Sequence, residues 1–341
     1  MGFDWKSLMK QQLLKQKAPG EAAIVDVMKA TWKRQVSQVV AEQRRLGEID
    51  PVNIGLDVKA EAELLAADLR VEMEATVRST ASHWYRNARK SAQAAITKQI
   101  EDEELEQDLL DALGIEPGEP IPESAFIQLI TVQSPEVIQL LGLLLEEHAT
   151  GITAQVVDEV KFILQQNKTD GKTLGEAVDG LMKLQVDGEA PFSEARALRV
   201  AVTENGSAHN VATFATLEKI GNKTKIWMTA GPGRSTDPRD GRPTWDKKHN
   251  PNHDRLEADS MASPVPINMP FLDDGASMMH PQDPTAPARH VVWCGCSMVP
   301  GDPEIRAEIV RSYISQENKG FLSEDDELAY AELGGRFSVE I

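Results

Sequence analysis

The feature that most constrains this chain is a run of residues, 56–113, that contains neither glycine nor proline. Apolar side chains recur through it about every 3.8 residues, close to the 3.6 residues of an α-helical turn. A two-stranded left-handed coiled coil needs about 3.5, so a simple rod is disfavoured. We predict helix that packs on other helices, with a kink in a run that would otherwise extend about 85 Å. The stripe comprises Val58, Ala62, Leu65, Leu69, Met73, Val77, Ala81, Trp84, Ala88, Ala92, Ile96 and Ile100.

The rest of the first half also has helical periodicity, and the pattern changes after Gly221. Thr173 and Glu176 form a Thr-x-x-Glu capping box, and Ser134-Pro135-Glu136 is a second helix start. The predicted class is therefore α+β: an elongated, mainly helical N-terminal region and a small α+β region with few strands and long loops. Further helices are predicted at 21–46, 123–132, 135–148, 153–167, 173–186, 192–220 and 302–316, strands at 223–229 and 290–299, and loop-rich chain at 231–290.

Charge divides the chain unevenly. The net charge is −18 over 341 residues, of which −12 falls on residues 1–189, zero on 190–300 and −6 on 301–341. The predicted regions are a long-helix region at 1–115, a short-helix bundle at 116–189, a third domain at 190–300, and a helix with an acidic tail at 301–341. The acidic run 101–104 is expected to be a solvated helix face, the alternative being a docking site for a basic partner.

Composition removes several functional classes. No stretch reaches the ~18 apolar residues that a membrane span needs, and the first residues lack the apolar core of a signal peptide. Cys294 and Cys296 are the only cysteines, so we expect no disulfide framework and a reducing compartment. The overall acidity argues against a protein whose main task is to coat nucleic acid.

Two short motifs, one with glycine and one with histidine, are typical of sites that bind phosphate or metal. Gly171-Lys172-Thr173 lacks the earlier glycine of a phosphate loop and no strand precedes it, so a connection between helices is expected. His249 and His253 are spaced for a shared metal or an HNH nuclease, but Pro251 between them opposes a helix. A polar loop is the favoured interpretation of that segment.

The Cys294-x-Cys296 pair falls on the second predicted strand, which would put both thiols on one face. The spacing is too short for a relaxed disulfide and shorter than in usual zinc knuckles. The pair is expected to serve as two small buried hydrophobic side chains, with a metal held together with His280 or His290 as the alternative. On the preceding helix, Arg199, Thr203 and Glu204 form either a surface polar network or part of a polar core.

The segment 195–299 resembles the phage Mu F-like minor head protein family, also described as the head-morphogenesis family. The resemblance begins with an Arg-Ala pair and a helix in which Val202 replaces an expected Arg, and ends in a Cys-x-Cys strand in which Trp293 and Gly295 replace Asn and Arg. Some relatives carry a further Cys pair that would complete a four-ligand metal site, and this chain lacks it. The residues that match the family motifs are Arg196, Arg199, Thr203, Glu204, Trp227, Asp237, His280, Cys294 and Cys296.

The resemblance implies a non-enzymatic minor structural protein of a tailed-phage head, present in the virion and assembled in the host cytoplasm. It implies association with the portal protein and, further, with scaffold or major capsid protein, during procapsid assembly and DNA packaging or ejection. No catalytic residue, cofactor or membrane partner is expected, and no metal, for which Cys294, Cys296 and His280 are the weak candidates. The alternatives are a metal-dependent nuclease around His249 and His253 or an ADP-ribosyltransferase-like enzyme.

A role in contacting packaged DNA is a third interpretation. It rests on a basic cluster in the neutral middle domain, which interspersed aspartates dilute, so that a plain surface loop is favoured. The cluster comprises Arg234, Arg239, Arg242, Lys247, Lys248 and Arg255.

Overall fold

The computed structural model describes residues 5–101, 120–187, 192–229, 253–292 and 294–317. Asp237, His249, most of the basic cluster, nearly all of the acidic run and the tail lie outside these ranges. Long helices precede a region of short antiparallel strands, so the predicted α+β class is confirmed. The helices are α1 (Trp5–Leu46), α2 (Val58–Asn87), α3 (Arg89–Glu101), α4 (Glu123–Gln133), α5 (Pro135–Gln139), α6 (Leu145–Thr169), α7 (Leu174–Asp187), α8 (Glu194–Lys219), α9 (His253–Ala262), α10 (Ala288–Val291) and α11 (Pro303–Glu317).

The long glycine-free run forms α2 and α3, which meet at Ala88. Ala88 departs from helical geometry, with φ −120° and ψ 35°. The Asn87 side chain donates to the His83 carbonyl at 2.7 Å, and a side chain inserted into the helical hydrogen-bond ladder is a known cause of a kink. The stripe from Ala62 to Ile96 is buried at every position, so its predicted packing on other helices is confirmed.

Helix α8 is the centre of the molecule. All of its residues from Ala201 to Leu217 are buried. It packs against α1, α2, α3, α4, α5 and the strand Ser297–Pro300. Such complete burial is unusual for a helix that carries many polar side chains, and each of these needs a partner. Contacts of α8 with α1 and α2 also cross the domain boundary expected between residues 189 and 190, while the division into four regions stays a prediction.

The strands form two small antiparallel sheets. β1 (Thr224–Met228) lies between β2 (Val265–Pro266) and β5 (Ser297–Pro300), and β3 (Phe271–Asp273) pairs with β4 (Ala276–Met278). The register joins Trp227 to Met298 and Leu272 to Ser277. Asp274 and Gly275, both at positive φ, make the two-residue turn of the second hairpin.

Several local predictions are confirmed. α1 ends before Gly47, the strand at 223–229 forms as β1, and α11 matches the predicted 302–316. The capping box forms, with the Thr173 amide donating to Glu176 at 2.8 Å and the Glu176 amide donating to Thr173 Oγ1 at 3.3 Å. The predicted start at Ser134-Pro135 is the start of α5.

Other predictions need correction. α1 begins at Trp5 and continues through Pro19 and Gly20, whereas the prediction started at residue 21. The helices predicted at 135–148 and 153–167 form one run, distorted by a π-turn at Leu140–Leu144 in which Gly142 is non-helical. The segment 231–290 contains α9, β2, β3 and β4 in addition to loops. In α1, tertiary packing overrides the local signals, since a Cβ at Gly20 would lie 2.0 Å from Asn205 Oδ1.

Candidate functional site

The structure separates the motif residues of the resemblance into three places. Arg196, Arg199, Thr203 and Glu204 line a groove beside α8. Trp227, Cys294 and Cys296 meet at a buried cluster that also contains His253. His280 lies apart from both, and Asp237 falls outside the described residues.

The groove lies between α6 and the N-terminal half of α8. It has a volume of about 400 Å³. Arg196 forms an ion pair with Glu159 of α6 at 2.9 Å, and the Thr203 hydroxyl donates to the Arg199 carbonyl at 2.8 Å. Arg199 itself is exposed, so it belongs to the surface network and not to the polar core. The lining residues are Ile152, Gln155, Glu159, Ser193, Ala195, Arg196, Arg199, Val200, Thr203, Glu204 and Val292.

Glu204 is the buried carboxylate at one end of this groove. It is 4% exposed, and His148 Nδ1 of α6 donates to its Oε2 at 3.1 Å. The hydrogen bond to Glu204 raises the pKa of His148 above its ordinary value, against the opposing effect of burial. The pair therefore ties α6 to α8 most strongly when His148 carries its proton.

A ladder of three polar pairs joins α2 to α8. Thr76 donates to Asn205 Oδ1 at 2.7 Å, Thr80 Oγ1 is hydrogen-bonded to His209 Nδ1 at 3.1 Å, and Trp84 Nε1 donates to Thr213 Oγ1 at 3.0 Å. Each step advances four residues on both helices, so α2 and α8 run parallel with a constant offset. Burial lowers the pKa of His209 well below its ordinary value, and the ring is neutral within the ladder.

The opposite side of α8 is held by Gln282. This buried side chain donates to the Val202 carbonyl at 2.9 Å and accepts from Asn210 at 3.1 Å, while Ser207 donates to the Gln282 carbonyl. A Cβ at Gly206 would lie 1.9 Å from Gln282 Oε1, so only glycine permits this approach. Sequence reasoning missed Gln282, because nothing local distinguishes one glutamine in a loop.

The buried cluster is organised around His253, the first residue of α9. Its Nδ1 lies 3.6 Å from Cys294 Sγ and 3.5 Å from Cys296 Sγ, and its ring packs 4.9 Å from the Trp227 ring. His253 also belongs to a second group with Asp273 and His290, whose ligand atoms lie within 4.8 Å of one another. A hydrogen bond with Cys294 and burial raise the pKa of Cys296 well above its ordinary value.

This geometry corrects three expectations. Cys294 and Cys296 lie before β5 and not on a strand, since β5 begins at Ser297 and the short helix α10 occupies 288–291. His253 is a buried helical residue and not part of a polar loop. His280, named as a metal candidate, packs on Phe214 and is hydrogen-bonded to the Pro281 carbonyl, away from the thiols.

Neither the partner of the cysteines nor Asp273 was identified from sequence. His253 is 41 residues from Cys294, and only the fold brings them together. One sequence signal near Asp273 is the dipeptide Asp274-Gly275, which is typical of a two-residue hairpin turn. It predicts a strand that ends at Asp273, which is where β3 ends.

Comparison with known proteins does not assign the chain to a family. Comparison with protein-family models, with curated proteins and with solved structures finds no match. Within the described ranges, no single helix has the length and apolar character to cross a membrane, although Glu123–Gln133 and Pro135–Thr169, bent by 60°, pass that test as a pair.

Proposed function

We propose that this chain is a minor structural protein of a tailed-phage head, which associates with the portal protein during procapsid assembly. The supporting observation is that the motifs, which are far apart in sequence, lie on α8 and on elements connected to it by direct contacts. Four lie on α8, Trp227 lies on β1, and the backbone of Cys296 accepts a hydrogen bond from Asn210 of α8 at 3.1 Å. Motifs up to 100 residues apart, from Arg196 to Cys296, thus lie on α8 or next to the small sheet that packs against it through β5.

Exposed apolar side chains on α4 to α7 support such an association. The apolar stripe of α2 and α3 is buried inside the molecule. By contrast, six large apolar side chains on α4 to α7 and the π-turn are 45–77% exposed. Apolar surface left in water favours association by about 25 cal/mol per Å² once it is buried. These side chains are Val132, Ile138, Leu143, Phe162, Met182 and Val186.

The cluster at His253 favours a structural over a nuclease role. A hydrolytic metal needs a water position that substrate can reach, whereas His253, Cys294 and Cys296 are at most 9% exposed. Of the basic residues suggested for DNA contact, the described one, Arg255, pairs with Asp273 at 3.3 Å and with Asp259 at 3.7 Å. No described contact favours an ADP-ribosyltransferase, which stays an alternative.

Co-expression with the portal protein of the phage whose genome encodes this chain tests the proposal. We expect the two to co-elute in size-exclusion chromatography and this chain to be present in purified virions. Leu143→Asp with Phe162→Asp should weaken co-elution, whereas Val52→Asp, on an equally exposed side chain of the α1–α2 loop, should not. Separate elution of the wild-type proteins, together with virions that lack the chain, would contradict the portal role.

A further inference from the structure

We propose that the chain binds one Zn²⁺ as a structural ion through His253 Nδ1, Cys294 Sγ and Cys296 Sγ, at the junction of α9, β1 and the segment that enters β5. This inference goes beyond the proposed function and does not depend on it. It rests on the positions of three ligand atoms, on the unpartnered polar atoms beside them, and on what the three residues hold together.

The spacing of the ligand atoms is that of a tetrahedral zinc site. With Zn–S of about 2.3 Å, Zn–N of about 2.0–2.1 Å and a tetrahedral angle, a sulfur and a nitrogen ligand lie about 3.6 Å apart. His253 Nδ1 lies 3.6 Å from Cys294 Sγ and 3.5 Å from Cys296 Sγ. All three ligand atoms lie within 4.8 Å of one another, so little rearrangement is needed for an ion to bind.

The groups behind His253 have the character of an outer shell. His253 Nε2, Asp273 Oδ2 and His290 Nδ1 are buried and have no hydrogen-bond partner among the described residues. These three residues form a second group of mutually close ligand atoms. A metal-bound histidine usually directs its other ring N–H to a carboxylate, which fixes the tautomer and strengthens the ligand. Asp273, whose Oδ1 pairs with Arg255 at 3.3 Å, is the carboxylate within 4.8 Å of His253 that would take this role once the metal is bound.

The donor set selects the metal. Thiolates and imidazole nitrogen suit Zn²⁺, whereas Mg²⁺ and Ca²⁺ prefer oxygen ligands. As Zn²⁺ binds, each thiol releases its proton and becomes a thiolate. Three protein ligands leave one tetrahedral position for a water molecule. Because His253, Cys294 and Cys296 are at most 9% exposed, a substrate could not reach that position, which agrees with a structural ion.

The ion would tie together distant parts of the chain. His253 begins α9, which packs on β1 through Trp227, and the cysteines lead directly into β5. The Cys296 carbonyl accepts from the buried Lys17 of α1 at 2.9 Å and from Asn210 of α8 at 3.1 Å. Zinc at this point would therefore secure the small sheet to the helices beneath it.

Metal analysis of the purified full chain tests the proposal. We expect about one zinc per chain after expression with added Zn²⁺ and purification under reducing conditions, and a loss of at least several-fold in Cys294→Ser, Cys296→Ser and His253→Ala. His280→Asn is the control, since His280 is a buried histidine of the same region outside the cluster; it should keep its zinc. Chelation should lower the melting temperature of the wild type and leave that of Cys296→Ser unchanged.

Cobalt substitution keeps the test decisive if a variant fails to fold. Co²⁺ in the wild-type chain should give thiolate-to-metal charge-transfer absorption and tetrahedral d–d bands, and X-ray absorption of the zinc form should show two sulfur neighbours. A folded, reduced wild-type chain that takes up neither ion would overturn the proposal, as would zinc retained in all three ligand variants. Metal-dependent DNA cleavage that is lost in His253→Ala would overturn the structural role.

Discussion

At the scale of single residues, Lys225 is a cation that the fold buries completely. Its Nζ donates to the carbonyls of Ile267 at 2.9 Å and Met279 at 2.7 Å, and it lies about 5 Å from the ring centroids of Phe214 and Phe271. Burial lowers its pKa from 10.5 to about 7. A neutral amine has two N–H groups, enough for both carbonyls, so the site serves either protonation state.

Lys225→Met should therefore change how stability depends on pH. Between the folded pKa of about 7 and the unfolded value of 10.5, the unfolded chain binds more protons than the folded one, so the contribution of Lys225 to stability grows as pH rises. Relative to the variant, the free energy of unfolding of the wild type should rise by up to about 1.4 kcal/mol per pH unit from pH 7 to pH 10 and be flat below. Urea unfolding at each pH measures this, and a constant difference would contradict it.

Gly20 lies so close to the side chains of Asn205 and Thr76 that there is no space for a Cβ atom. A Cβ would lie 2.0 Å from Asn205 Oδ1 and 2.7 Å from Thr76 Oγ1. Gly20→Ala should destabilise the chain by about 1–3 kcal/mol in urea unfolding, because overpacking displaces a hydrogen-bonded pair. Asn205→Ala should reduce that effect in a double-mutant cycle.

Gly151→Ala is the matched control for Gly20. Gly151 also lies inside a long helix, but a Cβ added there would meet no atom within 4 Å. Relief of backbone entropy should stabilise this variant by about 0.5–1 kcal/mol. Equal responses at the two glycines would show that close approach at Gly20 is not the cause.

At the scale of elements, the His148–Glu204 pair couples α6 to α8 through a titratable contact. The pKa of His148 is raised in the folded chain, so its stabilisation is full below the ordinary value of 6.5 and is lost as pH rises through the raised pKa. His148→Gln should cost about 1 kcal/mol below that value and progressively less above it. Glu204→Gln should abolish the same pH dependence, measured by thermal unfolding, and a pH-independent effect of His148→Gln would oppose the assignment.

Element positions followed from sequence where one local rule dominated. The apolar stripe from Ala62 to Ile96 fixed the buried face of α2 and α3, and Thr173 with Glu176 fixed the start of α7. The continuation of α1 through Pro19 and Gly20 could not be predicted, because both residues oppose helix locally. There Gly20 is required by Asn205, 185 residues away, and tertiary packing overrides propensity.

At the scale of the whole molecule, α11 fastens the C-terminal part of the described chain onto its N-terminal helices. Tyr313 of α11 is fully buried, and its hydroxyl is hydrogen-bonded to His83 Nε2 of α2 at 2.6 Å. α11 also contacts α1 and β5. Helices from opposite ends of the chain therefore share one hydrophobic core with the small sheet.

Substitutions at Tyr313 should measure that fastening. Tyr313→Phe removes one hydrogen bond and should cost about 1 kcal/mol, whereas Tyr313→Ala removes a buried ring and should cost about 3–5 kcal/mol. Ser315→Ala, at an exposed position of the same helix, should stay within about 0.5 kcal/mol of the wild type. Chemical denaturation followed by tryptophan fluorescence compares the three, and a small effect of Tyr313→Ala would mean that α11 unfolds independently.

For each candidate site, the sequence indicated some of the residues but not their partners. Cys294 and Cys296 are candidates because the sequence contains only these two cysteines and they are closely spaced. Glu204 is a candidate because it belongs to a family motif. The residues that complete each site, His253 for the thiols and His148 for Glu204, are 41 and 56 positions away. Such pairings depend on the topology of the whole chain, which local periodicity does not encode.

The ladder between α2 and α8 determines the axial register of these two helices. If one helix slid past the other by a single turn, about 5.4 Å, its apolar residues would still find apolar neighbours. The polar residues would not all find polar partners: with Thr76 opposite His209 and Thr80 opposite Thr213, the Trp84 indole would face Leu217 and be left without a partner in a dry interface. Each orphaned group costs about 1–3 kcal/mol. Three hydrogen bonds at equal intervals thus exclude neighbouring alignments that apolar contacts alone would tolerate.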